Sequence, residues 1–508
     1  MKKFKRNTLA LAILGSCLSS SAYSAETIKL GDDVTLDWKG TLTYSAGMRL
    51  EKPDEILAAG SQGDANFEQH DLIGNGLYLL LESHLRWGNS GLVVSGSTFY
   101  DDVYQDDKFS SEAQRWHGGY TRLLDLYAYT AFVLGDEGYV DLRVGQQVVA
   151  WGEALFFPSI SLAQGPSDAI KSYVPGTEVK DILLPEQQVS VQAELTNNWS
   201  VMAHWQFNWE ETIVASPGTF FSTSQAVGHG AYCLQALPDG TCAFGPRGPD
   251  ITPDETSQWG VGSRYRITDV TELGLYYLNY NDRIPMVEID IMANAGQFPS
   301  GGYNVRYFDE ITLVGATMST STGPASIGAE VSYKDGAPAL VTAFEMVQPS
   351  KAEILQANLN AIVNFGRTSI ADATNLTIEA SYVDILDVEA RNIGIPGTPD
   401  TNELYYEDHS FAIAASLTLS YPGIFESWDM SIPLAYSNQL SGRVITGGVG
   451  GQGDNRARVG ISFTHNPTGI QTSLDYVGYY GDPDVDEAYK ERTLSDRDYI
   501  GLNVKWAF

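Results

Sequence analysis

Three groups of residues have types and spacings able to carry chemistry. The first lies in Val144-Gly145-Gln146-Gln147-Val148-Val149-Ala150-Trp151-Gly152-Glu153, where Arg143, Trp151 and Glu153 fall at odd positions and so on one face of an extended chain. A cation and an anion bracketing an indole suit recognition at a constriction; the same carboxylate would equally serve as a plain anchor for the chain that follows. The second is Cys233 and Cys242, nine residues apart in Gly/Pro-rich chain. In an exported protein a local disulfide is the expected pairing, since a metal site would need more ligands and only His229 is near. The third, Gly448-Val449-Gly450-Gly451-Gln452-Gly453, fits G-x-G-x-x-G, but a strand pattern follows where a dinucleotide site needs a helix N-terminus. It reads as a flexible loop. G-x-S-x-G, H-E-x-x-H and P-loop motifs do not occur and the seven His are scattered, so no enzyme, metal or other cofactor is expected.

The ends of the chain say where those residues work. Lys2, Lys3, Lys5 and Arg6, an apolar run from Thr8 to Leu14 and small residues from Ser19 to Ala25 predict a cleaved signal peptide, residues 1–24. A competing reading makes Leu14-Gly15-Ser16-Cys17 a lipoprotein box with Cys17 lipidated. Cleavage at Ser24 removes four positive charges and no negative ones, taking the formal charge from −32 to −36. Nucleic acid is excluded as a partner, because a phosphate backbone needs a basic surface. At the other end Ile500, Leu502, Val504, Trp506 and Phe508 alternate with Gly501, Asn503, Lys505 and Ala507. Trp506 and the terminal Phe508 resemble the insertion signal that the barrel-assembly machinery reads on Gram-negative outer-membrane barrels.

The elements between must supply the wall. Period-two runs give eighteen candidate strands, approximately 35–50, 76–87, 91–101, 122–134, 139–151, 186–195, 199–210, 257–267, 270–281, 305–320, 324–334, 352–365, 374–385, 408–421, 427–437, 455–465, 468–480 and 497–508. Links after even-numbered strands are short, as at Thr196-Asn197-Asn198 and Asn466-Pro467; those after odd-numbered strands run from about 16 to 46 residues. That alternation predicts an all-β fold: a single transmembrane up-and-down antiparallel barrel of 16–18 strands over residues 25–508, of outer-membrane type. Trp38, Trp87, Trp199, Phe365, Tyr421, Trp428 and Trp506 gather at the short-turn ends, as an interfacial girdle would. A charge on the lipid face costs about 2–4 kcal/mol at the midplane, so parity turns Glu82, His84, Arg86, Arg143, Glu153, Arg264, Glu330, Arg456, Arg458 and Lys505 inward. They either form a constriction or simply hydrate and pair within a wet interior.

With a barrel argued from pattern, longer strings are recognisable. Val144 to Glu153, Pro175-Gly176-Thr177-Glu178-Val179-Lys180, Phe207-Asn208-Trp209-Glu210, Pro217 to Ser222, Gly274 to Tyr280 and Gly328 to Lys334 resemble the proteobacterial outer-membrane family known as domain of unknown function 1302. The resemblance implies a neighbouring periplasmic, lipoprotein-like partner and an inner-membrane exporter of the resistance–nodulation–division type. It further implies passage of lipids, hydrophobic nutrients or secondary metabolites.

The link after the fifth strand opens with Leu155-Phe156-Phe157-Pro158-Ser159-Ile160-Ser161-Leu162, too apolar to lie in water uncovered. Residues 152–185 are expected either to fold into the lumen or to pack over the rim. The function expected is a channel for hydrophobic or amphiphilic small molecules or lipids. Two alternatives stand beside it: a general or sugar-selective porin with Tyr78, Trp151, Tyr479 and Tyr499 lining a wet pore, and a surface or adhesion barrel whose acidic loops bridge cations to lipopolysaccharide.

Overall fold

The computed structural model describes residues 26–135, 138–172, 179–236, 241–254, 256–289, 302–392, 396–484 and 487–508; the expected signal peptide lies outside them. One antiparallel sheet of nineteen strands closes on itself, and eighteen of these form the wall. In chain order they are β1 Val34–Arg49, β2 Leu72–Trp87, β3 Ser90–Asp101, β4 Thr121–Leu134, β5 Gly138–Gln147, β6 Glu186–Thr196, β7 Trp199–Gln206, β8 Gln258–Arg266 and β9 Thr271–Tyr280. The second half comprises β10 Ile311–Thr322, β11 Ala325–Ala343, β12 Met346–Gly366, β13 Ala373–Val388, β14 His409–Phe425, β15 Trp428–Ser441, β16 Asn455–His465, β17 Ile470–Tyr480 and β18 Tyr499–Ala507. Each strand pairs with its sequence neighbour, and β18 returns to β1 with Gly501 opposite Gly47. The remaining strand, Glu26–Lys29, pairs with Thr35–Trp38 of β1, beyond the end of β18. The fold is a closed, outer-membrane-type barrel.

Strand chemistry follows from having lipid on one side. In β14, Ala412 and Ala414 are buried inward while Phe411, Ile413, Ala415 and Leu417 take the opposite face. Leu275, Val314, Val331, Leu359, Ile378 and Val459 stand exposed around the outer surface. A surface so apolar suits hydrocarbon rather than water. Exposed Trp87, Trp199 and Phe365 mark its short-turn edge; Tyr100, Trp205, Trp259, Tyr382, Tyr436 and Tyr480 mark the other. At the seam Phe508 and Gly40 exchange both backbone hydrogen bonds, at 2.7 and 2.9 Å. A Cβ on Gly40 would collide with the Phe508 ring, which also packs on Trp38 and Trp506.

Three boundaries differ from the sequence reading. β5 stops at Gln147 opposite Glu186, short of residue 151, because the next partner would be Pro185, which has no N–H for the ladder. Residues 303–306 leave the tenth strand to pair with 286–289, and Glu310, at φ 55°, breaks the run before β10. The link after β11 is not a long loop: β11 and β12 run on to a two-residue turn at Phe344-Glu345, both with positive φ. Pro338 is tolerated there because β10 pairs no farther than Asp335 and residues 403–405 bond that edge of β11 only from Leu340 to Thr342.

At the long-loop end, Arg49 and Arg497 are fully buried. Arg49 lies 2.7 Å from Asp64 and 2.9 Å from Asp496, and donates to Phe67 O at 2.7 Å. Arg497 donates to Ser222 O at 3.0 Å and to Phe220 O. These contacts bind the links 50–71, 207–257 and 481–498 into one knot.

Candidate functional site in the barrel lumen

The link after β5 runs along the inner wall of β11, β12 and β13. Its backbone has no strand partner there, so wall side chains complete its hydrogen bonds. Glu330 of β11 accepts from Glu153 N at 2.7 Å through one carboxylate oxygen and from Ile160 N at 2.9 Å through the other. Glu379 of β13 accepts from the successive N–H groups of Leu155, Phe156 and Phe157. Asn360 donates to Glu153 O and Asn358 to Phe157 O, each at 2.6 Å, and Ser159 bonds Ser332. Gly152 is required at φ 99°, where a Cβ would strike the Glu330 carboxylate. Phe157 packs on Ala412 and Ala414, while Trp151, Ile160 and Ala163 join inward side chains of β7, β9, β10 and β11 in a continuous apolar cluster. Charge-assisted bonds to amides in a low-dielectric interior hold the link against this half of the wall.

Across the lumen a cavity remains. Its floor is the wall formed by β1, β2 and β18, where Gly47 faces Gly501 on one side and Gly74 on the other, so these three positions leave room in the barrel beside Ser45, Ile73, Tyr78 and Tyr499. Space for the centres of water-sized spheres amounts to about 60 Å³, enough for several waters or one small ring. Tyr78, Phe99, Tyr104, Trp116, Tyr120, Phe221 and Tyr499 surround it. Tyr78 stacks on Phe99 at 5.3 Å, and Phe99 meets Tyr120 edge-on at 4.7 Å. Trp116 is carried by helix α1, Ser111–Gly118, capped by Ser110 Oγ accepting from Ala113 N at 3.2 Å. Polar groups are few and fixed. Asp168 accepts from Tyr120 OH at 2.5 Å, and Lys171 Nζ lies over the rings of Phe99 and Tyr120, 5.5 and 5.4 Å from their centroids. Burial pushes His117 down to about 3, His229 adding to the effect; as the neutral ring it accepts from Ser216 N at 3.1 Å. An aromatic enclosure with a few convergent polar groups is the form of a small-molecule site.

Over residues 5–508 the sequence matches the family described as "Protein of unknown function (DUF1302)". The chain belongs to this family. Among curated proteins none matches. Solved structures similar to this DUF1302 barrel include Pseudomonas aeruginosa OccK2 (OpdF) in complex with glucuronate, at 11% identity and TM-score 0.44, covering 93% of this chain and 98% of that one. P. aeruginosa OpdK with vanillate gives 11% identity and TM-score 0.45 over 93% and 98%. Acinetobacter baumannii OccAB1 gives 9% and 0.45 over 96% and 99%. At such identities the likeness concerns the fold alone.

The DUF1302 barrel separates several residues that the sequence groups together. Arg143 pairs with Asp141 at 2.8 Å low on β5, away from Trp151, which is buried against His204 and Tyr276. Trp151 is thus a packing residue of the apolar cluster, and Arg143 is no partner of Glu153. The expected direction of the Glu153 anchor is also reversed: its own N–H and C=O are held by Glu330 and Asn360. Burial pushes the Glu153 carboxyl up, and Arg264 opposes the shift. Glu82, with Asp125, grips Lys180 of the same link at 2.8 and 2.9 Å; Arg86 pairs with Asp37. Arg458 meets Asp475 at 2.8 Å and Arg456 meets Asp454 at 2.9 Å. Tyr78 and Tyr499 do line the cavity, whereas Tyr479 sits in an apolar cluster with Phe67 and Leu494. Cys233 and Cys242 are joined, Cα to Cα 5.6 Å, in the link after β7. Glu379 is absent from the sequence reading, although inward parity on its strand is the signal for it.

Proposed function

We propose that this DUF1302 barrel is an outer-membrane conduit, without enzymatic activity, for small hydrophobic or amphiphilic molecules. The observation that carries the reading is the aromatic cavity over the glycine row Gly74, Gly47 and Gly501, opposite the part of the lumen into which the link after β5 folds. A wide wet pore would pass sugars by size; an enclosure of rings with one buried ammonium favours molecules that carry an apolar face and a polar end. The long links are assigned to the cell exterior and the short turns to the periplasm. The apolar outer band would meet lipid and lipopolysaccharide, Trp506 and Phe508 would be read by the assembly machinery, and a periplasmic partner and inner-membrane exporter would hand cargo over below. Flux through proteoliposomes tests it, comparing a naphthalenesulfonate with a hexose of similar mass. The sulfonate should pass about tenfold faster or more, and Ser45→Trp, which fills the cavity from its wall, should remove that preference. A hexose flux equal to the sulfonate's would favour the porin reading.

A further inference from the structure

Two further small cavities lie against the upper parts of β11 and β12, and they share Pro338, Ile354 and Thr446. The upper one is apolar, walled by Val383, Ile385, Leu404, Val444 and Ile445; Leu404 and Val444 belong to the links after β13 and β15, at the long-loop end. The lower one ends on two buried cations, Lys334 and Arg283. Their partners are unequal. Arg283 is paired with Glu186 at 2.7 Å and bonded to Gln206, Gln258 and Ala163 O, yet among the described residues its Nε has no partner. Lys334 Nζ donates to Gln356 Oε1 at 3.0 Å, and among the described residues no carboxylate lies within 4.0 Å of it. Asp282 also faces the lower cavity and accepts the N–H groups of Arg283 and Ile284 through one oxygen, Oδ1, while its carboxylate stays more than 4.0 Å from Lys334 Nζ. Glu330, four residues before Lys334 on the same wall, is occupied by the amides of Glu153 and Ile160. An ammonium has three N–H donors and a buried one needs acceptors for them, so two at Lys334 and one at Arg283 point to an oxygen ligand.

We infer that these two adjoining cavities, about 20 and 30 Å³, are a binding site for a small carboxylate with a short apolar tail. Its carboxylate accepts from Lys334 Nζ and Arg283 Nε, and its tail lies upward between Ile354, Ile385, Leu404 and Val444. The inference deepens the conduit reading, on which its ligand class rests, by naming the polar end of the cargo and a second place where it dwells.

The test uses the full mature barrel in nanodiscs, with empty nanodiscs as blank, and hexanoate and 1-hexanol as probes in titration calorimetry. Wild type should bind hexanoate about tenfold more tightly than hexanol, and Lys334→Met should remove that difference while leaving hexanol binding unchanged. Equal affinities in wild type, which would mean that water alone fills the cavity, or unchanged hexanoate affinity in Lys334→Met, would overturn the site. Should Lys334→Met fail to assemble, Ile354→Trp decides instead: it should abolish hexanoate binding, and retained binding would refute the placement of the tail. Ser45→Trp, which blocks the aromatic cavity, should leave hexanoate binding intact. Equal sulfonate and hexose flux in wild type with retained hexanoate binding would mark failure of the conduit reading alone, and preferred sulfonate flux with equal hexanoate and hexanol affinities would mark failure of this site alone.

Discussion

Glu379, on the inner face of β13, accepts a hydrogen bond from the backbone N–H of Phe157 at 3.1 Å, across 222 residues of sequence. The same carboxylate takes the two preceding amides, and Glu330 takes the amides on either side of that triplet. Two wall carboxylates thus hold the link after β5 by its backbone, and the arrangement makes specific demands.

Phe157 packs on Ala412 and Ala414 at the inner wall. The double variant Phe157→Cys with Ala414→Cys should therefore cross-link spontaneously in barrels assembled in cells, as non-reducing electrophoresis of a protease-cut product would show. Labelling of the Phe157→Cys thiol from outside by an impermeant maleimide, with no cross-link, would place the link over the rim instead.

The knot at the mouth should respond to pH. Burial foremost, then the neighbouring Asp496, raises Asp64 to about 6, with Arg49 and Arg497 opposing. A carboxyl whose folded pKa lies above its unfolded value contributes stability that is complete below the unfolded value, about 4, and is lost as pH rises through the folded one. Amide protection factors over residues 61–67, with intrinsic base-catalysed exchange divided out, should accordingly rise between pH 7 and pH 5. Asp64→Asn should flatten that dependence, and protection that falls on acidification would contradict the assignment.

Closing the nine-residue separation between Cys233 and Cys242 constrains one link only. By loop-closure entropy it stabilises that segment by about 2–3 kcal/mol and leaves the barrel independent of it. Thiol titration of the unreduced, denatured mature protein should find no free thiol. Cys233→Ser with Cys242→Ser should keep the heat-modifiable mobility of the wild type.

Deleting Phe508 removes two hydrogen bonds to Gly40 and the ring seated on it. The loss is on the order of 2–4 kcal/mol in a large barrel, so abundance in the outer membrane should fall more than the melting temperature of what does assemble. Equal abundance by quantitative blotting would argue that the terminal residue has no role in insertion.

Much of the wall was legible because lipid imposes a rule on every second residue. Leu417 and Ile413 alternate with Ala412 and Ala414 plainly enough to place β14, and the same parity turns Glu330 and Arg458 inward. What escaped were contacts that follow no period. The link after β5 is gripped through its amides, so its own side chains do not announce Glu379, which shares an ordinary strand with two further acids, Asp384 and Asp387. Trp151 looked like a strand residue because apolar alternation continues past Gln147, while Pro185 on the opposite strand ends the pairing. The tall β11–β12 hairpin was hidden by Gly336 and Pro338, which read as loop residues but fall at a bulge and on an unpaired stretch of edge. The cavity was invisible for a simpler reason: its floor is Gly47, Gly74 and Gly501, which lie far apart in the chain and meet only through register.

Single-channel conductance in planar bilayers tests most directly whether the inward-folded link, held by Glu330 and Glu379, narrows the lumen. A glutamine at either site places an amide donor against backbone N–H groups, so Glu330→Gln with Glu379→Gln should free the link. The account predicts low conductance for wild type and, in the double variant at unchanged heat-modifiable mobility, a rise of about threefold or more as water enters a barrel of this size. Equal conductance for the two proteins would contradict it.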